Sequence, residues 1–277
     1  MRSLPKNGAS IQVLTNPGSL TARCLLVCTA LLVFCLSAKG QIAVRHQEGL
    51  VRGFLVLRSE QNETLAHGEL MQEAHGNRVT AHLVFRFKDG SVRDEAAVYS
   101  QLKTFRLLKY KLEQKGPSFP HPESVSIDVP AGQVNVRYTN DDGAEKVETA
   151  HMAVPPDLAN GILFTILKNG PFEGPQAQAS MIVTTPKPRI VKLEISADGE
   201  DPILVGGEKH KATHYRVKIK VGGIYGLAAS LSGKQPPDIQ VWILPGSAPA
   251  FIKSSGALYA DGPIWQIELE SPVWPKD

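Results

Sequence analysis

The stretch RVTAHLVFRFK, residues 78–88, decides the fold. Every second side chain from residue 79 to residue 87 is apolar, and most of the side chains between them are polar or charged. This two-residue period indicates a β-strand with one buried face and one face toward solvent. The sequence DGS follows at 89–91 and is typical of a tight turn between antiparallel strands.

The same alternation recurs along the chain, most clearly in RIVKLEIS at 189–196 and HYRVKIKV at 214–221. Short strands separated by turn residues favour an antiparallel meander, arranged as a half-barrel or a sandwich. The predicted fold class is therefore mainly β. Residues 41–277 are expected to form one domain, with a division into two lobes at about 45–155 and 176–277 as the alternative.

One segment has a different period. PPDLANGILFTILKNG, residues 155–170, places apolar side chains three and four residues apart, which is the spacing of one helix face. The two prolines suit the entry to a helix, whereas the closing Asn-Gly pair is typical of its end. The pattern predicts one helix at about 156–169, packed against the sheet through its apolar face.

The first 40 residues match a secretory signal peptide. Basic residues precede an apolar run at 24–36, and small residues follow it up to Gly40. The run is shorter than the roughly 20 residues of a membrane-spanning helix, and the order basic, apolar, small is that of a signal peptide. Cleavage after Gly40 would make Gln41 the first mature residue. The alternatives are an uncleaved anchor and lipidation of Cys35, although Phe34 stands where a lipoprotein needs a small residue.

Removing residues 1–40 changes the charge and the available chemistry. Four of the 30 basic residues and none of the 27 acidic ones lie there, so the net charge falls from +3 to −1. A nucleic-acid partner is therefore not expected. All three cysteines also lie in this segment, which excludes disulfides and cysteine-based metal sites from the mature chain.

No motif for catalysis or for a cofactor is found in the sequence. The histidines of HKATH, residues 210–214, share a strand face, but four residues of strand separate them by roughly 13 Å, too far for one metal ion. Neither a G-x-S-x-G elbow nor a phosphate-binding loop is present. An enzyme is not expected, and no cofactor or metal site is predicted.

Arg216, Lys218 and Lys220 form a basic row on one face of the strand at 214–221. Such a row is usually a solvated outer face. The functional alternative is a contact with a lipid headgroup or another anion.

All three tryptophans lie in the last 36 residues, and in IQVWILPG at 239–246 both strand faces are apolar. Each face of this strand therefore has to pack against another part of the protein or against a ligand. Aromatic side chains in such a place either fill the core or line an apolar ligand cavity. The candidate cavity wall consists of Leu163, Ile166, Trp242 and Trp265.

A signal peptide, a long antiparallel meander, one apolar helix and the closing segment VWILPGSAPAFIKS at 241–254 resemble the Lol-type lipoprotein carriers of the bacterial envelope and the periplasmic domains related to them. In that superfamily an unclosed β-barrel folds over a helical plug and leaves an apolar hollow. The resemblance implies the same architecture here and transfers no binding residue. The carriers interleave several helices, whereas this sequence predicts one.

These patterns favour an exported, non-catalytic envelope protein, periplasmic or extracellular, that holds a lipid or another apolar ligand or assists envelope assembly. The expected partners are an apolar small molecule and envelope proteins. One alternative is a β-sandwich interaction or adhesion module with a filled core. Another is a hydrolase whose carboxylates or histidines converge only in the fold.

We predict that expression of the full chain in a bacterial host yields a protein with the intact mass of residues 41–277 and no thiol that a maleimide labels. Both results follow from cleavage after Gly40, because every cysteine precedes it. A chain that begins at Cys35 and carries the mass of acyl chains would contradict the prediction.

Overall fold

The computed structural model describes residues 42–140, 142–170, 172, 177–184, 187–205, 207–222 and 235–270. The predicted signal peptide lies outside these residues. Within them the chain forms a short helix, α1 (Leu163–Lys168), and the following strands: β1 (Val51–Ser59), β2 (Thr64–His75), β3 (Arg78–Phe87), β4 (Val92–Gln101), β5 (Phe105–Lys115), β6 (Glu123–Asp128), β7 (Gln133–Thr139), β8 (Glu145–His151), β9 (Ala177–Val183), β10 (Arg189–Val205), β11 (Glu208–Lys220), β12 (Ile239–Leu244), β13 (Ala250–Ala257) and β14 (Ile264–Leu269).

The strands form one antiparallel sheet in the order β8-β7-β6-β5-β4-β3-β2-β1-β14-β13-β12-β11-β10-β9. Neighbours in space are neighbours in sequence, except that β1 pairs with β14. This confirms the predicted mainly β antiparallel meander with one packed helix. The sheet is open, and β8 and β9 are its two edges. The stretches 45–155 and 176–277 both contribute strands to this single sheet.

The alternation that predicted β3 is also seen in the structure. Val79 and Phe85 are buried, whereas Thr80 and Arg86 on the other face are exposed. The face that carries Val79 and Phe85 is called the inner face below, and the opposite face the outer face.

Helix α1 is shorter than the predicted segment at 156–169, because it begins only at Leu163. Residues 155–162 form turns instead, and Leu158 makes a parallel bridge with Ser180 of β9. Gly161 has a φ of +70°, which interrupts any helix that runs through it. The local apolar period correctly predicted a helix in this segment. The residues just before Leu163 are not helical, because they pair with β9 instead.

Residues 157–160 cover the free edge of β9. The Ser180 amide donates to the Asp157 carbonyl at 3.0 Å, and the Ala159 amide donates to the Ser180 carbonyl at 2.8 Å. The Asn160 side chain continues this pairing: it accepts from the Ile182 amide at 2.8 Å and donates to the Ile182 carbonyl at 2.9 Å. One edge of the sheet is therefore hydrogen-bonded without a further strand, which removes a site of unwanted pairing.

Two apolar cores lie on the inner face. The first core surrounds α1 and combines buried side chains from both ends of the strand order, including Tyr110, Ile166 and Leu193. The second core is aromatic and contains Phe85, Phe87, Phe119 and Trp265. The rings of Phe87 and Phe119 meet edge-on with centroids 5.3 Å apart, a favoured aromatic geometry.

Residues 42–50, here called the N-terminal strap, cross one end of the sheet. Ala43 bridges Thr104 in the β4–β5 connection, and the Val44 amide donates to the Lys103 carbonyl at 3.0 Å. This end of the sheet is called the strap end below. Among the described residues, no helix is both long and apolar enough to cross a membrane.

We predict that Gly161→Ala destabilises the protein by roughly 2–3 kcal/mol, as judged by urea unfolding. A Cβ at this position would lie 2.9 Å from the Tyr110 ring and 3.1 Å from Ala97, in addition to the strain of a positive φ. Gly76→Ala is the matched control, because its φ is +59° and nothing lies within 4 Å of the added Cβ. We expect the control to cost about 1 kcal/mol; equal costs for both variants would contradict the packing of Gly161.

Candidate functional site

The two cores meet at Phe251 on the inner face, and apolar side chains packed beside each core keep part of their solvent exposure. We call this set the apolar seam. It consists of Leu70, Leu83, Leu163, Phe164, Phe251 and Leu269. Leu70 pairs with Leu83 across β2 and β3, and Phe251 packs against both cores. Apolar groups that are neither fully packed nor on the outer face are the ones that a ligand can cover.

Helix α1 forms one wall of the seam. The rings of Phe164 and Phe251 are stacked, with centroids 4.5 Å apart and an interplanar angle of 27°. Leu163 lies beside Phe164 and is partly buried, whereas Ile166 points into the first core and is 2% exposed. The helix therefore faces the core with one side and the seam with another.

Glycines on β1 and β2 shape the other wall. A Cβ at Gly53 would lie 3.7 Å from Leu269 and 3.9 Å from Leu70, so both leucines border the space above this residue. A Cβ at Gly68 would lie 2.5 Å from the Phe85 ring, which means that the ring lies across β2. The absence of a side chain at Gly53 leaves a depression on the inner face beside the second core, whereas the Phe85 ring fills the space over Gly68.

A polar cluster joins the strap to the sheet and to α1. The Lys168 ammonium lies 2.6 Å from one Glu48 carboxylate oxygen and 2.7 Å from the other. Gln72 donates to the same carboxylate at 2.8 Å, and the Gln101 side chain bonds both backbone groups of Glu48. Removing one partner from a buried ion pair costs roughly 3–5 kcal/mol, so Glu48 and Lys168 hold the strap and the helix together.

Asn169 makes a second connection between the same two elements. Its side-chain oxygen accepts from the backbone amides of Arg45 and His46, both at 2.8 Å, and its amide donates to the Thr165 carbonyl at 2.9 Å. We call Glu48, Lys168 and Asn169 the polar latch. A cleft of about 650 Å³ lies beside it, lined by the strap, Lys168 and residues 247–249.

A second buried polar cluster lies on the inner face of β4 and β5, away from the strap. Arg93 donates to Gln114 at 2.6 Å and lies 3.4 Å from Glu95, which accepts from the Tyr110 hydroxyl at 2.9 Å. Burial raises the pKa of Tyr110 well above its usual value, so this hydroxyl stays protonated and remains a donor. Polar groups therefore lie at both ends of the seam along the strand direction. Glu48 and Lys168 lie at the strap end, and the Arg93 cluster lies at the other end.

Glu123 connects the two halves of the open sheet. It is the first residue of β6, and its carboxylate accepts a hydrogen bond from the hydroxyl of Thr184, which follows β9. Burial raises the pKa of Glu123, and the hydrogen bond from Thr184 and the charge of Arg93 offset part of that rise.

The structure does not bring the four predicted cavity residues together. Leu163 belongs to the seam, Ile166 to the first core and Trp265 to the second core. Trp242 lies on the outer face, where it stacks on His214 with centroids 4.5 Å apart and donates to Asp201 at 2.7 Å. The outer side of the apolar strand at 239–244 is therefore covered by neighbouring polar side chains and does not line a ligand cavity.

The predicted basic row lies on the outer face of β11 and is partly neutralised by β10. Arg216 is 2.5 Å from Asp198, and Lys220 is 3.1 Å from Glu194. Lys218 is exposed and pairs in register with Glu194. Acids on the adjacent strand make this row a weaker anion site than the sequence of β11 alone suggests.

No group of three metal-binding side chains occurs among the residues that the structure describes. His210 and His214 have separate carboxylate neighbours, Glu208 at 3.9 Å and Asp201 at 3.5 Å. Other histidines, such as His82 beside Asp94, lie in exposed surface pairs.

Sequence reasoning missed Phe251, Phe164 and Glu48. Phe251 lies close in the sequence to the tryptophans, but a register shift between β12 and β13, which alternation does not reveal, turns it inward. Phe164 is adjacent to the predicted Leu163 but lies off the main apolar helix face. Glu48 gives no signal, since nothing in a single polar strap residue shows that Lys168, 120 residues away, will pair with it.

No protein-family model and no curated protein matches this chain. Two solved structures are similar to it. A β-barrel-like protein of the domain of unknown function DUF1849 from Brucella abortus has 8% identity and a TM-score of 0.45, with 85% of this chain and 100% of that chain covered. The hypothetical lipoprotein YmcC from Escherichia coli K12 has 10% identity and a TM-score of 0.33, with 96% and 100% covered. At this similarity neither structure indicates a function for this chain.

We predict that Glu123→Gln makes the protein more stable at neutral pH. Because the folded pKa of Glu123 is raised, its contribution to stability is complete below the ordinary carboxyl value of 4.5 and is lost as the pH rises through the folded value. Glutamine keeps an acceptor for Thr184 without the buried charge. Urea unfolding at a series of pH values should show a gain for the variant that disappears below pH 4.5.

Glu113→Gln is the control for this prediction, because Glu113 is exposed and forms an exposed ion pair with Lys115 on its own strand. We expect little change in the free energy of unfolding at any pH for an exposed pair. A loss of stability at neutral pH in Glu123→Gln would show that the charged form is the one that the fold favours.

Proposed function

We propose that this chain is an exported, non-catalytic protein of the bacterial envelope that holds an apolar ligand in the seam between its two cores. The observation that carries the proposal is the partial exposure of six large apolar side chains on the inner face, where a well-packed domain would bury them. Covering them would contribute about 25 cal/mol per Å² of apolar surface.

The surroundings of the seam favour an amphiphilic ligand, such as a lipid or a fatty acid. The seam itself offers aliphatic and aromatic carbon, which suits an acyl chain. Polar groups lie beyond it in both directions: the polar latch, and the Arg93, Gln114 and Glu95 cluster. A few polar groups beside an apolar wall are what orients such a ligand.

Helix α1 is the element that would move to admit a ligand. It has six residues, and its most extensive contacts with the sheet are with β12 and β13. Its attachment to the strap depends on directional polar bonds from Lys168 and Asn169, rather than on apolar packing alone. Breaking the buried Glu48–Lys168 pair is costly if one charge is left without a partner, but a shift of α1 that gives both groups water or a polar ligand group in exchange avoids that cost. Such a shift would widen the seam.

The export part of the proposal rests on the N-terminal sequence, with its basic start, its short apolar run at 24–36 and its small residues before Gln41. A fold without cysteine after residue 40 is suited to any compartment, because it needs no disulfide. The apolar-ligand role and the envelope location are independent of each other and are tested separately.

A second candidate function is an interaction module that pairs with a partner strand at β8. Within the described residues, β8 pairs only with β7, and Val147 on it is 64% exposed. Edge strands accept peptides by β-augmentation. The charged residues Glu145, Lys146 and Glu148 on this strand oppose that role, because charged edges normally prevent pairing.

We predict that the ligand-free protein binds dansyl-undecanoic acid and that Gly53→Val weakens this binding about tenfold. The valine would fill the depression between Leu70 and Leu269 without burying a polar group, and each lost methylene contact is worth about 0.8 kcal/mol. The titration follows the dansyl emission, and thermal unfolding checks that the variant is folded.

Gly222→Val is the matched control, because among the described residues nothing lies within 4 Å of a Cβ at Gly222. It should bind the probe as the native protein does. Failure of the native protein to bind the probe, or equal weakening by both variants, would contradict the proposal and favour the filled-core interaction module.

A further inference from the structure

The two edges of the open sheet differ in how their backbone groups are satisfied. The edge of β9 is hydrogen-bonded to residues 157–160. Among the residues that the structure describes, β8 pairs with β7 and with no other strand. Five of the seven residues of β8 are exposed and none is buried. An open edge of this kind is a template for one more strand.

Hydrogen bonds at both ends of the β7–β8 pair show which backbone groups of β8 point outward. The Asn140 amide donates to the Ala144 carbonyl at 3.0 Å, and the Met152 amide donates to the Gly132 carbonyl at 2.9 Å. Hydrogen-bonded residues alternate along an antiparallel pair, so the even-numbered residues of β8 bond to β7. The N–H and C=O groups of the odd-numbered residues, Val147 among them, therefore point away from β7.

These outward groups match those of a second copy of the same strand. If Val147 meets Val147 of the second copy across a two-fold axis, each donates to and accepts from the other. Antiparallel pairing then sets Glu145 opposite Thr149 of the second copy on either side of the axis. The three pairs provide about six backbone hydrogen bonds. Val147 is 64% exposed on the outer face, so its side chain would be covered by its own copy.

The charges of β8 are complementary in the same register. Lys146 lies opposite Glu148 of the second copy, and Glu148 lies opposite Lys146 of the second copy. Both side chains project from the inner face, because Glu148 stands opposite the buried Val136 of β7 and Lys146 is two residues away. Within the described part of the chain neither forms an ion pair, whereas Glu145 lies 3.9 Å from Arg137. Opposite charges on directly opposed strand residues stabilise the pairing.

The neighbouring registers are disfavoured by the same two side chains. A shift of the pairing in one direction sets Lys146 opposite Lys146 of the second copy. A shift in the other direction sets Glu148 opposite Glu148 of the second copy. Like charges that are directly opposed destabilise a strand pair. The charges that oppose an unrelated strand therefore favour self-pairing centred on Val147.

We propose that two copies of this chain associate through β8, in antiparallel register centred on Val147, so that their sheets become continuous. The occupant of the open edge is thus a second copy of the chain. Contact through one strand from each copy is small, so the dimer is reversible and depends on concentration. The inference does not depend on ligand binding, since β8 shares no residue with the apolar seam.

A cysteine at the two-fold axis tests the register. In the chain with Cys24, Cys28 and Cys35 replaced by alanine, Val147→Cys introduces the only thiol. The Cα atoms of a hydrogen-bonded antiparallel pair lie about 5.5 Å apart, which a disulfide can span. We expect mild oxidation to give a covalent dimer on a non-reducing gel.

Two matched controls place the same thiol at nearby exposed positions. Thr149→Cys is on the same face and edge, but the two copies of residue 149 are offset by four residues, roughly 13 Å. Arg137→Cys lies opposite Val147 on β7, one strand further from the axis. Neither control should cross-link, because both separations exceed the reach of a disulfide.

Charge reversal at β8 tests the pairing in solution without a cysteine. Sedimentation velocity at a series of concentrations should show a dimer, and Lys146→Glu or Glu148→Lys alone should weaken it about tenfold, because each creates two like-charge pairs. The double variant with both substitutions should restore the dimer, because the opposed charges are complementary again. This rescue also shows that the single variants are folded.

Two outcomes would overturn the proposal. One is a monomer at every concentration, with no more cross-linking at residue 147 than at residues 137 and 149. The other is a dimer that the single charge reversals leave unchanged, or that the double variant does not restore; either result would assign the dimer to another surface or register.

Discussion

The open sheet is the constraint on which the rest of the structure depends. Its two edge strands, β8 and β9, are consecutive in the chain, so the segment that connects them must pass between the two ends of a fourteen-stranded sheet. That segment supplies α1 to the first core and residues 157–160 to the edge of β9. The helix in turn provides one wall of the seam.

Directional polar contacts fix elements that the apolar cores alone do not position. The polar latch fixes the strap to the end of α1, and the Glu123–Thr184 hydrogen bond joins β6 to the chain after β9. Buried polar groups of this kind are costly unless they are satisfied. These polar contacts lie at the strap, at the helix and between the halves of the sheet. Their positions indicate that they fix the location of α1, whereas apolar burial drives the packing of α1 onto the sheet.

Much of the sheet follows from local sequence, because alternation with a period of two directly specifies a buried and an exposed face. Val79 and Phe85 on β3 and Tyr215 and Val217 on β11 are buried as their positions indicate. The helix boundary and the site do not follow in this way. Pairing of Leu158 with Ser180 shortened the helix, and a register shift between β12 and β13 passes over Ile252 and places Phe251 opposite Ile243 on the inner face. Such long-range contacts leave no periodic signal in the sequence.

The binding proposal is tested most directly by native mass spectrometry of the protein, purified from a bacterial host without detergent. We expect a reproducible additional mass of lipid size that organic extraction removes, and a smaller fraction of that adduct in Gly53→Val. A mass equal to that of the polypeptide alone in every preparation, together with no uptake when lipid extract is added back, would contradict the claim that the seam holds an apolar ligand.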